Sequence, residues 1–356
     1  MARKPYRVEI NYSKNKQKKY FLVKDIFYNN KKSKVRKYLG SGDIPPSYEE
    51  IELYRKFAFD LELKAARAIG KLGETKFIFE FLTPEEIGQL EELKYLYKRF
   101  YQLLSENEVK VYEQNFELRY VGGTTKIEGN TLSLAEVKDI LMEGILPQHK
   151  SHREINEIQN FINVKKYRDS HKKKVDLTFI KEIHALIMHN IDNENAGIFR
   201  RTDDFGIVGC DLALCPAIEI ESGLEEILNY YYTRINTGYH PFEEAIMFHY
   251  FFEIIHPFSD GNGRVGRELL NYLLMRSKYP KLLFLGEGRE EYLNALRLGN
   301  DENFKEMVSR FFDIIMRQRM DIITKNIEKM LQTLPDIDDA RKRKSTQLSL
   351  SDFFTS

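Results

Sequence analysis

A stretch of twelve residues does most to limit what this 356-residue chain can fold into: His256-Pro-Phe-Ser-Asp260-Gly261-Asn262-Gly263-Arg264-Val-Gly266-Arg267. Just before it, residues 243–255 (EEAIMFHYFFEII) are apolar on nearly every side of a helix, so that helix must be buried. Pro257 stops the helix and leaves His256 at its exit. Just after it, Leu269-Leu-Asn-Tyr-Leu-Leu274 starts a second apolar helix, whose N-terminus points back at the loop. The glycines let main-chain N–H groups come close to an anion. His256 can act as a general base near neutral pH. Asp260 is a hard oxygen ligand suited to magnesium, and Arg264 and Arg267 can fork onto phosphate oxygens. A plain polar turn between two core helices needs none of these side chains. Together they imply a site for a phosphate-bearing ligand, with a nucleotide triphosphate first among the candidates.

The stretch resembles the HxFx(D/E)GNGRxxR signature of the Fic family at every fixed position, and the resemblance runs from about Thr124 to about Phe312. Fic proteins typically transfer AMP from ATP to a Ser, Thr or Tyr hydroxyl of a target protein. The resemblance implies that His256 deprotonates the acceptor hydroxyl and that Asp260 holds Mg2+. Asn262 and the amides around Gly261 and Gly263 would cradle the α-phosphate, with Gly266 completing the motif. Arg264 and Arg267 would engage the β- and γ-phosphates. In-line attack would then expel magnesium pyrophosphate, with catalysis by positioning and charge stabilisation. The unbroken Gly-Asn-Gly argues against the phosphate-transferring variant of the family, which lacks the second glycine. UMP transfer stays open.

A second element, Thr124-Thr-Lys-Ile-Glu128-Gly-Asn130, resembles the inhibitory motif of many Fic proteins. There a helix docks over the nucleotide site and its glutamate pairs with the second motif arginine, here Arg267. A carboxylate–guanidinium fork of this kind is costly to break from one side. The following NTLSLAEVKDILMEG reads as helical. In some relatives the same glutamate positions water to remove AMP, so Glu128 could also serve deAMPylation. Three weaker likenesses follow. Gly197-Ile-Phe-Arg200 leads into Gly206-Ile-Val208-Gly209, which resembles the flap hairpin that pairs with the target backbone. Tyr292 and Asn300 stand where the family lines its adenine pocket. Glu154 and Asn156 fall in the helix after the inhibitory motif, with structural roles expected.

The expected fold is mainly α: a Fic-type helical core with a β-hairpin flap, plus a small three-stranded β element at the N-terminus. That element is read from the residues themselves. Tyr6, Val8, Ile10 and Tyr12 alternate, and KKYFLVKDIFY and KVRKYLG follow after Lys/Asn-rich turns. Residues 1–40 carry net charge +11 in a chain of net +1. Basic residues interleaved with aromatics suit DNA contact by residues 1–40 and equally suit a solvated basic face; both readings stand. The segmentation expected is a basic β meander at 1–45, a linker at Gly40-Ser-Gly-Asp-Ile-Pro-Pro, and helices over 48–120. A Fic core including the inhibitory helix would span 121–315, with a terminal helix and linker at 316–340 and a disordered tail at 341–356. No apolar run approaches the ~20 residues of a membrane span, and the lysine-rich start is expected to carry no signal peptide. Cys210 and Cys215 lack histidines at metal spacing, and a cytoplasmic setting with reduced thiols is expected.

The last residues carry a separate signal. After the polar PDIDDARKRKST comes Gln347-Leu-Ser-Leu350-Ser-Asp-Phe353-Phe354, which resembles the sliding-clamp-binding peptide (PIP-box) of archaeal and eukaryotic replication proteins. Leu350, Phe353 and Phe354 share one face of a helical turn and would fill a hydrophobic pocket, while Gln347 reaches a polar one. QLSL also matches the start of the bacterial clamp peptide. The reading is therefore an autoinhibited protein adenylyltransferase that uses ATP and Mg2+, acts on a protein partner and is recruited to a sliding clamp. The alternative is a clamp- or DNA-tethered adaptor whose Fic core senses nucleotide with little transferase activity; an intact His256 favours the first.

Overall fold

A computed structural model of the chain describes residues 6–28, 30–203, 214–331 and 337–339. Among the described residues the fold is mainly helical with one small three-stranded antiparallel sheet. It divides into two compact units, one built from 1–76, 84–103 and 319–356, the other from 77–83 and 104–318. These units cut the chain differently from the five segments expected. The β meander shares a unit with the helices that follow it, and the 316–340 segment is split between the two.

In the first unit, β1 (Tyr6–Tyr12), β2 (Lys18–Tyr28) and β3 (Lys31–Ser41) form a meander in the order β1-β2-β3. One face of the sheet is apolar because Tyr20, Leu22 and Ile26 recur at even spacing on β2. That face packs with Tyr54 of α1 (Tyr48–Phe57) and with Leu61 and Ala65 of α2 (Phe59–Gly73). Helix α3 (Pro84–Leu103) belongs to the same unit, as does α13 (Asp321–Met330). Ser47 caps α1 through a capping box with Glu50.

Two expectations about connectors need correction here. Gly40 and Ser41 were expected in a linker, yet they are the last residues of β3, and the turn begins at Gly42. Residues 337–339 were expected in a polar linker. Instead Ile337 is 2% exposed in the core of this unit, beside Gly40. Its neighbour Asp338 accepts the Ser41 N–H at 3.1 Å and the Tyr38 hydroxyl at 3.2 Å. A lone isoleucine among acids is a weak periodic signal, and only the bare backbone at Gly40 leaves room for it. On the outer face of the sheet, Glu9 meets Arg7, Lys34 and Arg36, and Asp25 meets Arg7 and Lys32. Part of the basic charge is thus neutralised within the sheet.

The second unit is helical. It comprises α4 (Glu106–Ile127), α5 (Leu134–Lys138), α6 (His152–Ser170), α7 (Leu177–Met188), α8 (Ile220–Thr237), α9 (Pro241–Ile255), α10 (Asn262–Arg276), α11 (Arg289–Asn300) and α12 (Phe304–Ile315). Helix α9 is buried all round, with Phe242, Ala245, Ile246 and Phe252 at 0% exposure, as its composition requires. Helix α10 contributes Leu269, Leu270 and Leu274, also fully buried. The expected helix after Asn130 starts only at Leu134, where Ser133 and Glu136 form a capping box.

Three helices of this unit are tied by buried charge. Arg168 of α6 donates to Glu117 of α4 at 2.7 Å and to Glu268 of α10 at 3.0 Å, while Lys281 donates to Glu117 at 2.6 Å. Burial would raise the Glu117 pKa, but Lys281 and Arg168 outweigh it and hold it below the usual carboxylate range. Glu243, at the start of α9, accepts the backbone N–H groups of Glu80, Phe81 and Leu82 at 2.7–3.0 Å. It thereby satisfies an otherwise irregular strip of chain. No described helix is long and apolar enough to cross a membrane.

Candidate active site

Helix α9 ends where Pro257 can supply no N–H. His256 takes the left-handed conformation (φ 49°) and its own N–H closes on Phe252 O at 3.0 Å. This turn throws the imidazole off the helix axis. Its Nδ1 lies 3.3 Å from the Glu253 carbonyl, an acceptor only, so Nδ1 carries the proton and Nε2 keeps its lone pair. Burial pushes the His256 pKa below the ordinary imidazole value. The ring is therefore a neutral base at pH 7, with its basic nitrogen directed away from the helix end.

The loop after His256 is held from three sides. Arg200 donates from its backbone N–H to Pro257 O and from Nε to His256 O, each at 2.9 Å, and from Nη2 to Ile255 O at 3.3 Å. His184 of α7 stacks flat on Phe258, with centroids 3.6 Å apart and planes 5° from parallel. Its Nδ1 accepts the Gly197 N–H at 2.9 Å, so Nε2 bears the proton donated to Asp260 O at 3.0 Å. Burial takes the His184 pKa down to about 4, which keeps that arrangement neutral. Asn262 closes the loop on itself: Oδ1 accepts the Phe258 N–H at 2.8 Å and Nδ2 donates to Phe258 O at 2.7 Å. Both ends of the Asn262 amide are thus committed to loop shape. The donors left facing the loop are the first-turn N–H groups of α10, which have no intrahelical acceptor.

Gly261 sits at φ 81° as the N-cap of α10, a conformation that favours glycine. One turn into the helix, Arg264 is 1% exposed and divides its guanidinium between Glu157 (3.1 Å) and Asp260 (3.1 Å). Arg153 of α6 also contacts Asp260. Burial would raise the Asp260 pKa, but Arg264 and then Arg153 hold it below the usual range, so the carboxylate is charged. Among the described residues no group of three or more His, Cys, Asp or Glu side chains is arranged for a metal ion. The charged, 40% exposed Asp260 does suit the role of single protein ligand to Mg2+, the rest of the shell coming from phosphate and water.

Arg267, three residues on, is also 1% exposed. Its Nε donates to Thr124 Oγ1 at 2.8 Å, and Nη2 donates to Thr124 O at 3.0 Å and to Glu128 Oε1 at 2.6 Å. Glu128 is the C-cap of α4 and its side chain is 36% exposed, so the pair is buried on the arginine side and wet on the other. Burial would raise the Glu128 pKa; the Arg267 charge outweighs it and holds the carboxylate ionised. Gly263 is what lets Glu128 come so near, since a Cβ there would lie 2.5 Å from Oε1. Gly266 similarly leaves room for Glu253, whose carboxyl is pushed up to about 7 by burial.

Of the residues expected from the sequence, the structure brings together His256, Asp260–Gly263, Arg264, Gly266, Arg267 and Glu128. Tyr292 joins them by lying under the Arg267 guanidinium, 5.6 Å from ring centroid to cation, and its hydroxyl meets His249 Nε2 at 2.9 Å. Asn300 ends α11, where it accepts the Tyr250 hydroxyl at 3.3 Å. Glu154 caps α6 and takes the Thr131 N–H, and Asn156 donates to Asn190 O at 3.0 Å. Val208 and Gly209 lie outside the described residues, as do Cys210 and Gln347, Leu350, Phe353 and Phe354. Sequence reasoning missed His184, Glu157, Arg153 and Glu253. Of these only Glu253 left a signal, as an acid inside an apolar helix three residues before His256.

Residues 174–274 match the Fic/DOC family. Over 187 residues the chain is 35% identical to protein adenylyltransferase fic-1 of Caenorhabditis elegans, covering 51% of this chain and 36% of that protein. Over 213 residues it is 32% identical to protein adenylyltransferase Fic of Aedes aegypti, covering 58% and 41%. The chain thus spans less than half the length of either relative. Among solved structures, Fic-1 of C. elegans overlays with TM-score 0.59 at 27% identity, covering 69% of this chain and 72% of that one. A Fic domain containing signaling protein from Bacteroides thetaiotaomicron overlays with TM-score 0.60 at 22% identity, covering 67% and 97%. Residues 174–274, which carry His256 to Arg267, are thus the part of this chain that matches the Fic/DOC family.

Proposed function

We propose that this chain is an autoinhibited protein adenylyltransferase that moves AMP from ATP to a Ser, Thr or Tyr hydroxyl of a protein. The observation that carries the reading is the pairing of a neutral, Nδ1-protonated His256 with an open helix N-terminus flanked by Arg264 and Arg267. The relatives named as protein adenylyltransferases support it. His256 Nε2 takes the proton of the acceptor hydroxyl as its oxygen attacks the α-phosphorus. The α-phosphorus–oxygen bond to the β-phosphate breaks, and pyrophosphate leaves. The first-turn N–H groups of α10, that of Gly263 among them, hold the α-phosphate oxygens. The Gly261 N–H expected to join them donates to Asp260 Oδ1 at 2.6 Å, and Asn262 keeps the loop in shape. Arg264 and Arg267 receive the β- and γ-phosphates. Asp260 would hold Mg2+, which would supply charge neutralisation on the phosphates. Val208 and Gly209 guide the target backbone, and Tyr292 shapes the nucleotide site through Arg267.

In this reading Glu128 is the brake, because its carboxylate occupies the Arg267 donor that a γ-phosphate needs. The test uses Glu128→Gly protein with ATP labelled at either the α- or the γ-phosphate. Label from the α-position is expected on protein and label from the γ-position is not. Transfer of the γ-label would replace this reading with a phosphotransferase, and transfer of neither would favour a nucleotide-sensing adaptor.

Recruitment rests on the sequence alone. The Gln347, Leu350, Phe353, Phe354 spacing supports docking of the tail on a sliding clamp. Phe353→Ala with Phe354→Ala is expected to abolish co-elution with a purified clamp; unchanged co-elution sinks that part of the proposal.

A further inference from the structure

A cleft of about 980 Å³ opens in the first unit, well away in sequence from the motif at 256–267, between the sheet edge and helices α1 and α3. Its size is that of a ligand site, for which 300–1,000 Å³ is typical. Five cations line it: Lys24 of β2, Arg55 and Lys56 of α1, and Lys98 and Arg99 of α3. The acids lining it are Glu49 and Glu52, and Glu62 lies buried at its floor. The lining is therefore net positive. Aromatic rings alternate with those cations: Tyr6 and Tyr95 on the floor, Tyr48 and Phe57 at the mouth. Tyr48 is 65% exposed, a large ring area held in water at a cleft edge.

The floor is built rather than incidental. Glu62 is 2% exposed and is shared by two cations and two hydroxyls. Tyr95 donates to it at 2.5 Å, Tyr6 at 3.1 Å, and Lys24 and Arg99 pair with it at 3.4 and 3.2 Å. One carboxylate thus answers two part-buried cations, and burial pushes the Lys24 pKa down despite Glu62. Arg55, packed beside them, pairs with Glu52 and donates from Nη2 to Tyr6 O at 3.2 Å, while its enclosed Nε has no hydrogen-bond acceptor. Cations in excess of their counter-charges, with π-faces at the mouth, match a ligand that offers both a phosphate and a flat base.

We infer that this cleft is a second, non-catalytic nucleotide-binding site, accepting a phosphate on Lys24, Arg55 and Arg99 and a nucleobase against Tyr48. Two sources present that chemistry, a free mononucleotide and a single-stranded nucleic acid. The rim lysines Lys56 and Lys98 extend the positive track beyond one nucleotide's reach, which suits a strand.

The test measures anisotropy of a fluorescein-labelled twelve-nucleotide oligothymidylate with the full chain, and its competition by thymidine monophosphate. Lys56→Glu with Lys98→Glu is expected to weaken binding about tenfold and to make the log–log salt dependence shallower by about 1.4, the slope two lost phosphate contacts imply for single strands. Both lysines are exposed, so the melting temperature should hold. Tyr48→Ala, which leaves charge intact, is expected to weaken binding by about tenfold through lost stacking. Lys14→Glu with Lys31→Glu, outside the cleft, should change it less than about twofold. Competition by the mononucleotide with the same sensitivity to Tyr48→Ala assigns a free nucleotide, and competition by oligonucleotide alone assigns a strand; either supports the site. No binding of either ligand overturns it. So does equal loss in both lysine pairs, which would mark a diffuse basic face, or unchanged binding in Lys56→Glu with Lys98→Glu and in Tyr48→Ala.

Discussion

His256→Ala, made in a Glu128→Gly background, is expected to lower transfer of α-labelled AMP by about a thousandfold, within the range of general-base catalysis. The size follows from the geometry. Nδ1 faces the Glu253 carbonyl at 3.3 Å, which favours the tautomer whose basic nitrogen is Nε2. Burial lowers the His256 pKa, so the neutral base already dominates at pH 7. The sign for pH follows. Protonation removes the base, so the rate should fall as pH drops through the depressed His256 pKa. It should be flat from there through pH 8, and the alanine variant should lose that acid limb. Nucleotide affinity should change little, because the phosphate donors lie on α10 and not on His256. A variant that keeps the wild-type rate and the same acid limb would remove His256 from the chemistry.

Glu128→Gly alone is expected to raise auto-AMPylation by about 10- to 100-fold. A hydrogen bond between charged groups contributes about 1.5–3 kcal/mol. The carboxylate side here is 36% exposed, so solvent screening places the gain toward the lower end of that range. Arg267 itself is almost fully enclosed and keeps its two hydrogen bonds to Thr124 when Glu128 is gone. The guanidinium therefore stays in place and changes partner rather than position. Glu128→Gln should give an intermediate rise, since the amide still reaches Arg267 but without charge. Equal rates in wild type and Glu128→Gly would mean that the Glu128 contact does not limit nucleotide use.

What the sequence made legible divides along contact distance. Within twelve residues, His256, Asp260, the glycines and the two arginines could be read as one anion site, because a helix stop, a glycine turn and a helix start leave few arrangements. The three strands and the helices after Tyr48 were readable from period alone. The Glu128–Arg267 pair, 139 residues apart, was accessible only through family resemblance, since no local pattern tells a capping glutamate from a contact residue. His184, Glu157 and Arg153 left no trace, because each acts on the loop or its arginines through contacts distant in sequence. Asn262 was read as a phosphate ligand and proves to spend its amide on Phe258, a use that only the loop's closed shape reveals. Ile337 and Gly40 show the same limit in the first unit, where a bare glycine and a lone isoleucine gain meaning only as neighbours.

The central claim is that Glu128 restrains the site through Arg267 and by no other route. A double-mutant cycle addresses it directly: initial rates of auto-AMPylation with α-labelled ATP for wild type, Glu128→Gly, Arg267→Ala and the double variant. If the claim holds, Glu128→Gly accelerates the wild type by about tenfold or more and leaves the Arg267→Ala protein within about twofold. The same acceleration in both backgrounds would contradict it.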